Sequence, residues 1–250
     1  PLLPDRTVEK FSWIETLPPG ITAMKPFPEP ARPGTASQSF VLTNQPGVLE
    51  LAAGLDYLSE YPHGCLEQRM SQVSPDLVLG GLLKKLELPT RFTPMVAVNA
   101  RRLLDELAQN QDDAGFFSYW PGNKGDVALT AQGVEFILAA KKAGVAVDEK
   151  VRTRALDALR RVLRSDFNGY YQAYRWNQQV AAIRALARAN SLDEHYLIEL
   201  YQQRKFFDPT SRADLAVAMA EKPAVFRANL ATLKGELWDS VVFKLVKGVK

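Results

Sequence analysis

From Leu49 onward, apolar residues recur three and four positions apart in one run after another, and short clusters of Gly, Asn, Pro and Ser separate the runs. This spacing lines apolar side chains along one face of an α-helix, and each such face needs a partner to cover it. The first run carries Leu49, Ala52, Ala53, Leu55 and Leu58. A second extends from the region of Cys65 to Leu86, broken or kinked near Pro75 and stopped by Pro89. A third spans Pro94 to Gln109, with Val96, Ala100, Leu103, Leu104 and Leu107 on one face. Asp112 to Asp126 is a loop of Gly, Asn, Pro and aromatic residues, and helices follow at about 127–143, 148–165, 171–190, 193–205, 209–221 and 223–234. Gly144, Asn168-Gly169, Asn190-Ser191 and Asp208-Pro209 punctuate them. The apolar run from Leu237 and Trp238 to Val246 reads as the start of another element. Consecutive helices of this kind bury each other's faces and stack into a solenoid or a closed ring. The expected fold class is all-α. The pattern has no strict period, so the repeat is structural.

Residues 1 to about 45 differ. Pro1, Pro4, Pro18, Pro19, Pro26, Pro28, Pro30 and Pro33 forbid long helices, and Phe11–Ile14 and Ser39–Leu42 lean toward β. We read 1–45 as an extended connector belonging partly to a neighbouring β domain, and 46–250 as the helical domain. The opening, PLLPDRTVEK, is no signal peptide. The chain is expected to be an internal piece of a longer one. No apolar run is long enough to span a membrane.

Charge excludes a function class. Lys and Arg number 31 against 28 Asp and Glu, a net charge of +3, far from the dense positive face that nucleic acid requires. The most basic stretch, Arg152 to Arg164, interleaves its arginines with Ala155, Leu156, Leu159 and Leu163, the spacing of a solvated helix face. Two isolated histidines and one cysteine cannot supply the three or four ligands of a metal centre. The sequence also lacks a phosphate-cradling glycine loop, and no cofactor is implied.

The single cysteine therefore draws attention to its neighbours. In Tyr61-Pro-His-Gly-Cys-Leu-Glu-Gln68, Pro62 and Gly64 impose a turn just before a helical pattern. Cys65 thus falls near a helix N-terminus, where unpaired backbone N–H groups stabilise a thiolate. Gln68, three residues on, shares its face of the helix. A thiolate so placed can attack the Gln68 side-chain carbonyl, and the same N–H groups can hold the tetrahedral oxyanion. Loss of ammonia leaves an internal Cys–Gln thioester, an acyl group that an amine or hydroxyl consumes once and that must be kept from water.

At these residues the chain resembles the α-2-macroglobulin and complement family, whose thioester motif is Cys-x-Glu-Gln. The form Cys65-Leu66-Glu67-Gln68, preceded by Tyr61-Pro62 and Gly64, is similar to the bacterial branch. The run Asp113 to Gly122 (DAGFFSYWPG) resembles the family's glycine-phenylalanine-tryptophan loop, and a helix containing Leu129-Thr130-Ala131 follows it. Tyr171 to Ala187 and Leu200 to Met219 look like later helices, so the likeness covers most of 45–220. It implies an α/α-toroid, whose ring need not be complete in this chain, within a long multi-domain protein that traps proteases by coupling the thioester to their lysines. It also implies a periplasmic setting as part of a larger lipoprotein anchored to the inner membrane. The implied partners are attacking proteases, other domains of the same long chain and, for some members, a peptidoglycan synthase. Some members carry a catalytic histidine in the loop corresponding to 115–127. Its lack of histidine here implies direct attack by amines.

Several residues keep two readings. His63 can tune the thiolate as a base or simply stabilise the turn. Glu67 can orient the Gln68 amide or complement the helix dipole. Tyr119 and Trp120 can shield the thioester or pack on the core. Tyr170, Tyr171, Tyr174 and Trp176 suggest sugar stacking less well than a packed helix, and His195 reads as exposed. Against the thioester stand a helical-repeat scaffold with an inert cysteine, a Cys65–His63 hydrolase with poor geometry, and an α/α-barrel enzyme by fold analogy alone.

Overall fold

A computed structural model of the chain describes residues 15–23, 34–36, 40, 42, 44, 64–85, 93–164 and 175–241. The expected helix at 47–58, most of the proline-rich opening, His63, Tyr170, Tyr171, Tyr174 and the run beyond Val241 lie outside them. The chain divides into two units, Pro1–Glu60 and Tyr61–Lys250. The expected boundary near residue 45 falls inside the first. Among its described residues, 15–23 are irregular, with a bend at 19–20, and exposed, with no strand.

The second unit is helical. Its described helices are α1 (Leu66–Lys85), α2 (Thr93–Gln109), α3 (Val127–Lys142), α4 (Glu149–Val162), α5 (Arg175–Arg188), α6 (Glu194–Gln203), α7 (Pro209–Ala220) and α8 (Arg227–Asp239), with a 3-10 turn at Arg204–Phe206. Four begin on an aspartate whose carboxylate accepts an otherwise unpaired N–H of the first turn. Asp126 takes Leu129 N, Asp148 takes Lys150 N and Val151 N, Asp193 takes His195 N, and Asp208 takes Ser211 N. Left-handed backbone at Gly144 and Asn190 ends α3 and α5.

Packing sorts the helices into two layers. Each helix touches the next in sequence, but α3 also packs on α1, α5 on α3, and α7 on α5. The odd-numbered helices thus form one continuous layer and the even-numbered ones lie outside it, the α/α-toroid arrangement that the family resemblance implied. The central α5 serves both sides. Its Ala182, Ala185 and Leu186 belong to a core with Leu103, Leu107, Phe117 and Phe136, while Val180 and Ile183 join Leu197, Phe207, Leu215 and Met219. Its Arg184 binds Glu135 of α3 through two nitrogens (2.8 and 3.0 Å) and Asp214 of α7 (2.5 Å), tying three helices of the layer together. Two carboxylates beside one guanidinium raise its affinity for the proton despite burial, which acts in the opposite direction.

Three sequence expectations change. α1 is not broken at Pro75. The proline denies the Ser71 carbonyl its donor. The helix persists because Met70 is buried, Val73 and Leu77 pack on the core, and Arg69 and Ser71 reach Glu106 and Gln132. The last described helix starts at Arg227 rather than 223, because Lys222 to Phe226 form turns that bury Phe226. Leu237 and Trp238 continue that helix instead of opening another, and Trp238 is left exposed.

Two substitutions test this packing. A Cβ at Gly133 would lie 2.4 Å from the fully buried ring of Phe117. Gly133→Ala gains about 1 kcal/mol of helix propensity but overpacks the core, so urea unfolding should show a net loss of about 1–2 kcal/mol. At Asp208, the Ser211 N–H holds the carboxyl below the usual carboxylate range. Asp208→Ala should therefore cost about 1 kcal/mol at neutral pH. That gap should narrow on acidification past the ordinary carboxylate range, as proton uptake takes the cap from the wild type, and urea melts over a pH series would show it.

Candidate functional site

Cys65 stands immediately before α1 and its carbonyl accepts the Arg69 N–H at 3.1 Å, so it is the helix's N-cap. Gln68 occupies the third helical position and folds back. Its Oε1 accepts the Cys65 backbone N–H at 3.4 Å. This is one half of a capping box, with cysteine where serine or threonine usually stands. The spacing that sequence reasoning took as a reacting pair is thus also the spacing of a cap, and the cap brings the carboxamide back over the cysteine. Cys65 is half-buried, not sealed in the core. Leu66 and Met70, just beyond it, are buried and anchor the turn.

The loop 110–126 approaches this helix start. The Leu66 N–H donates to the Tyr119 carbonyl at 3.2 Å, so one first-turn donor expected to serve the sulfur is already engaged. The loop holds its shape through an extensive set of contacts. Phe116 and Phe117 are fully buried. The Asp112 carboxylate accepts Phe116 N and Gly125 N, both at 2.9 Å. Thr130 accepts Phe117 N at 2.8 Å and donates to the Asp126 carbonyl at 2.6 Å. The buried Ser118 hydroxyl lies 3.0 Å from the Asn110 carbonyl and 2.7 Å from that of Trp120. Gly115, at φ +90°, runs so close to α4 that a Cβ would lie 2.6 Å from the Arg154 carbonyl.

The aromatic loop is therefore divided. Phe116 and Phe117 pack on the core, whereas Tyr119 is 40% and Trp120 53% exposed. Tyr119 reaches the helix start by its backbone, and its phenol senses the same site. Burial, then the negative charges of Asp126, Glu67 and Cys65, push its ionisation above the ordinary tyrosine range. Trp120 makes no hydrogen bond to Cys65 or Gln68 among the described residues, and its carbonyl serves Ser118 and Asn123. Glu67 is exposed in the first turn, without a bond to Gln68. His63 lies outside the described residues, and His195 is exposed with its N–H on Asp193.

Sequence reasoning missed the residues that hold the loop. Arg154 donates to the Asp112 carbonyl at 2.8 Å and to that of Asp113, and Arg161 donates to that of Ala114. Part of the arginine-rich face assigned to solvent therefore clamps the loop backbone. Asp112 carries no motif that would reveal its contacts, and the runs that hold Ser118 and Thr130 do not disclose which backbone groups those two side chains bond. An alkaline absorbance titration should show the effect on Tyr119. The difference between wild type and Tyr119→Phe should develop at higher pH than free tyrosine does.

No family model matches the chain. Over 184 residues, 69% of its length, it is 33% identical to an α-2-macroglobulin of Xylella fastidiosa (strain Temecula1), of which that stretch covers 11%. Its fold is similar to native Escherichia coli α-2-macroglobulin from domain MG7 to the C-terminus, with a TM-score of 0.63 and 23% identity over 73% of this chain and 30% of that one. It is also similar to Salmonella α-2-macroglobulin reacted with methylamine, with a TM-score of 0.61 and 23% identity over 75% and 12%. The chain thus spans about a tenth of the length of its sequence relative. In sequence and fold together, it belongs with the bacterial α-2-macroglobulins, matching one segment of those much longer proteins.

Proposed function

We propose that this is the thioester domain of a bacterial α-2-macroglobulin-like protease inhibitor, in which Cys65 and Gln68 form an internal thioester that captures attacking proteases through their amines. The observation that carries this reading is the return of the Gln68 carboxamide to the Cys65 N–H. In forming the bond, the Cys65 sulfur adds to the Gln68 side-chain carbonyl carbon. The C–N bond then breaks, and ammonia departs with the proton the thiol gave up. The Cys65 N–H already lies against Oε1, where it stabilises the oxygen as negative charge develops. A lysine amine later adds to the same carbon, the C–S bond breaks, and Cys65 returns as a thiol. The protein is used once, so it is a covalent trap and not a turnover catalyst.

Two neighbours of the same fold, at TM-scores of 0.59, are Escherichia coli α-2-macroglobulin activated by trypsin and by porcine elastase. They support proteases as partners, and the methylamine-reacted Salmonella protein supports an amine acceptor. The exposed Tyr119 beside Cys65 supports a shielding role there, with Trp120 as its neighbour and Glu67 and His63 as supporting groups. Residues 46–250 form this domain, 1–45 connect it to a neighbouring β domain, and the setting is periplasmic, within a larger lipoprotein at the inner membrane. That setting rests on the resemblance to bacterial members alone.

The capping-box bond favours one competing reading, in which Cys65 and Gln68 only terminate a helix of a binding scaffold. Intact-mass measurement separates the two. Freshly prepared protein should be lighter than its sequence mass by one ammonia. Methylamine should add at Gln68 and release the Cys65 thiol, and Cys65→Ala should abolish both. Full sequence mass together with no methylamine uptake would leave only the cap.

A further inference from the structure

We infer that Ser118 is a positioning residue that governs access to Cys65. This rests on the thioester reading of Cys65 and Gln68 and assigns control of that site to a side chain that does not touch it. Ser118 is 1% exposed, and its single hydroxyl proton lies between two backbone acceptors, the Asn110 carbonyl at the end of α2 and the Trp120 carbonyl beyond the site. Its own N–H also donates to Asn110 at 2.9 Å. Between those anchors stands Tyr119, whose carbonyl takes the Leu66 N–H and whose phenol lies in the field of Cys65 and Glu67.

The backbone on either side of this segment is held by other residues. Phe117 N rests on Thr130, and the Asn123 N–H closes a turn on the Trp120 carbonyl. From Tyr119 to Trp120, the only side-chain hydroxyl bonded to the backbone among the described residues is that of Ser118. Both aromatic side chains there are more than one-third exposed, so core packing restrains them little. Removing the hydroxyl leaves the Trp120 carbonyl with the Asn123 N–H as its remaining donor and lets the Tyr119 step move from the helix start. Water and other small molecules then reach the sulfur more readily. In the acylated protein, the acyl group is lost to water at a rate set by how well this step stays closed.

The experiment uses the whole chain as wild type and Ser118→Ala, with Asp208→Ala as a control that weakens a remote cap. In acylated protein, the rate of spontaneous hydrolysis is followed by intact mass. In protein whose thiol is free, the rate of Cys65 alkylation by iodoacetamide is measured, together with hydrogen exchange at the Leu66 amide. Ser118→Ala should raise the rate of spontaneous hydrolysis, the alkylation rate and Leu66 exchange by about fivefold, the factor that one lost hydrogen bond carries. Asp208→Ala, though less stable, should leave all three at wild-type values. Equal alkylation and Leu66 exchange in wild type and Ser118→Ala would overturn the proposal, as would equal effects of the two substitutions. A wild type that shows neither ammonia loss nor methylamine uptake counts against the thioester reading alone, since alkylation and exchange still decide the role of Ser118.

Discussion

Two adjacent phenylalanines with no exposed surface set the terms for everything around Cys65. In the extended backbone of this loop, neighbouring side chains point to opposite sides, so burying both requires core on each side. The ring of Phe117 meets α3 where Gly133 leaves room, and Phe116 packs beside Gly125. With both rings fixed and the Ser118 hydroxyl bonded to backbone on each side of it, the Tyr119 carbonyl falls on the first amide of α1. A packing constraint in the core is thereby converted into a polar contact next to the only cysteine of the chain.

The layered helices supply the frame in which this happens. α3 carries Thr130 and Gly133 toward the loop and Glu135 toward α5, so one helix serves both the site and the ion cluster. Arg184 joins that cluster to α7. Charges left partly buried in this way contribute little net stability when paired and cost much when a partner is lost. The cluster links α3, α5 and α7 through side chains of all three.

How much of this the sequence disclosed follows from how local each feature is. Helix existence was legible because periodic Leu, Ala and Val report one face of one helix, as in Leu103 and Leu107 or Leu156 and Leu159. The Cys65-to-Gln68 relation was legible because three residues is one helical turn. Pro75 misled because its local cost is real but is outweighed by contacts from α2 and α3 that sequence spacing does not reveal. Arg154 and Arg161 misled similarly, since an arginine among helical leucines looks the same whether it meets water or a loop carbonyl. The split between buried Phe116–Phe117 and exposed Tyr119–Trp120 required knowing where α3 stands.

The bond from Leu66 to Tyr119 spans a long stretch of chain, including all of α2. During synthesis from the N-terminus, the sulfur and carboxamide emerge together on a single turn well before the residue whose carbonyl takes the Leu66 N–H. The amide of Leu66 therefore waits, hydrated, until α2 has formed and the polypeptide doubles back. The proposed joining of Cys65 to Gln68 thus has an early, open interval and a later, closed one, separated by their distance along the chain from Tyr119.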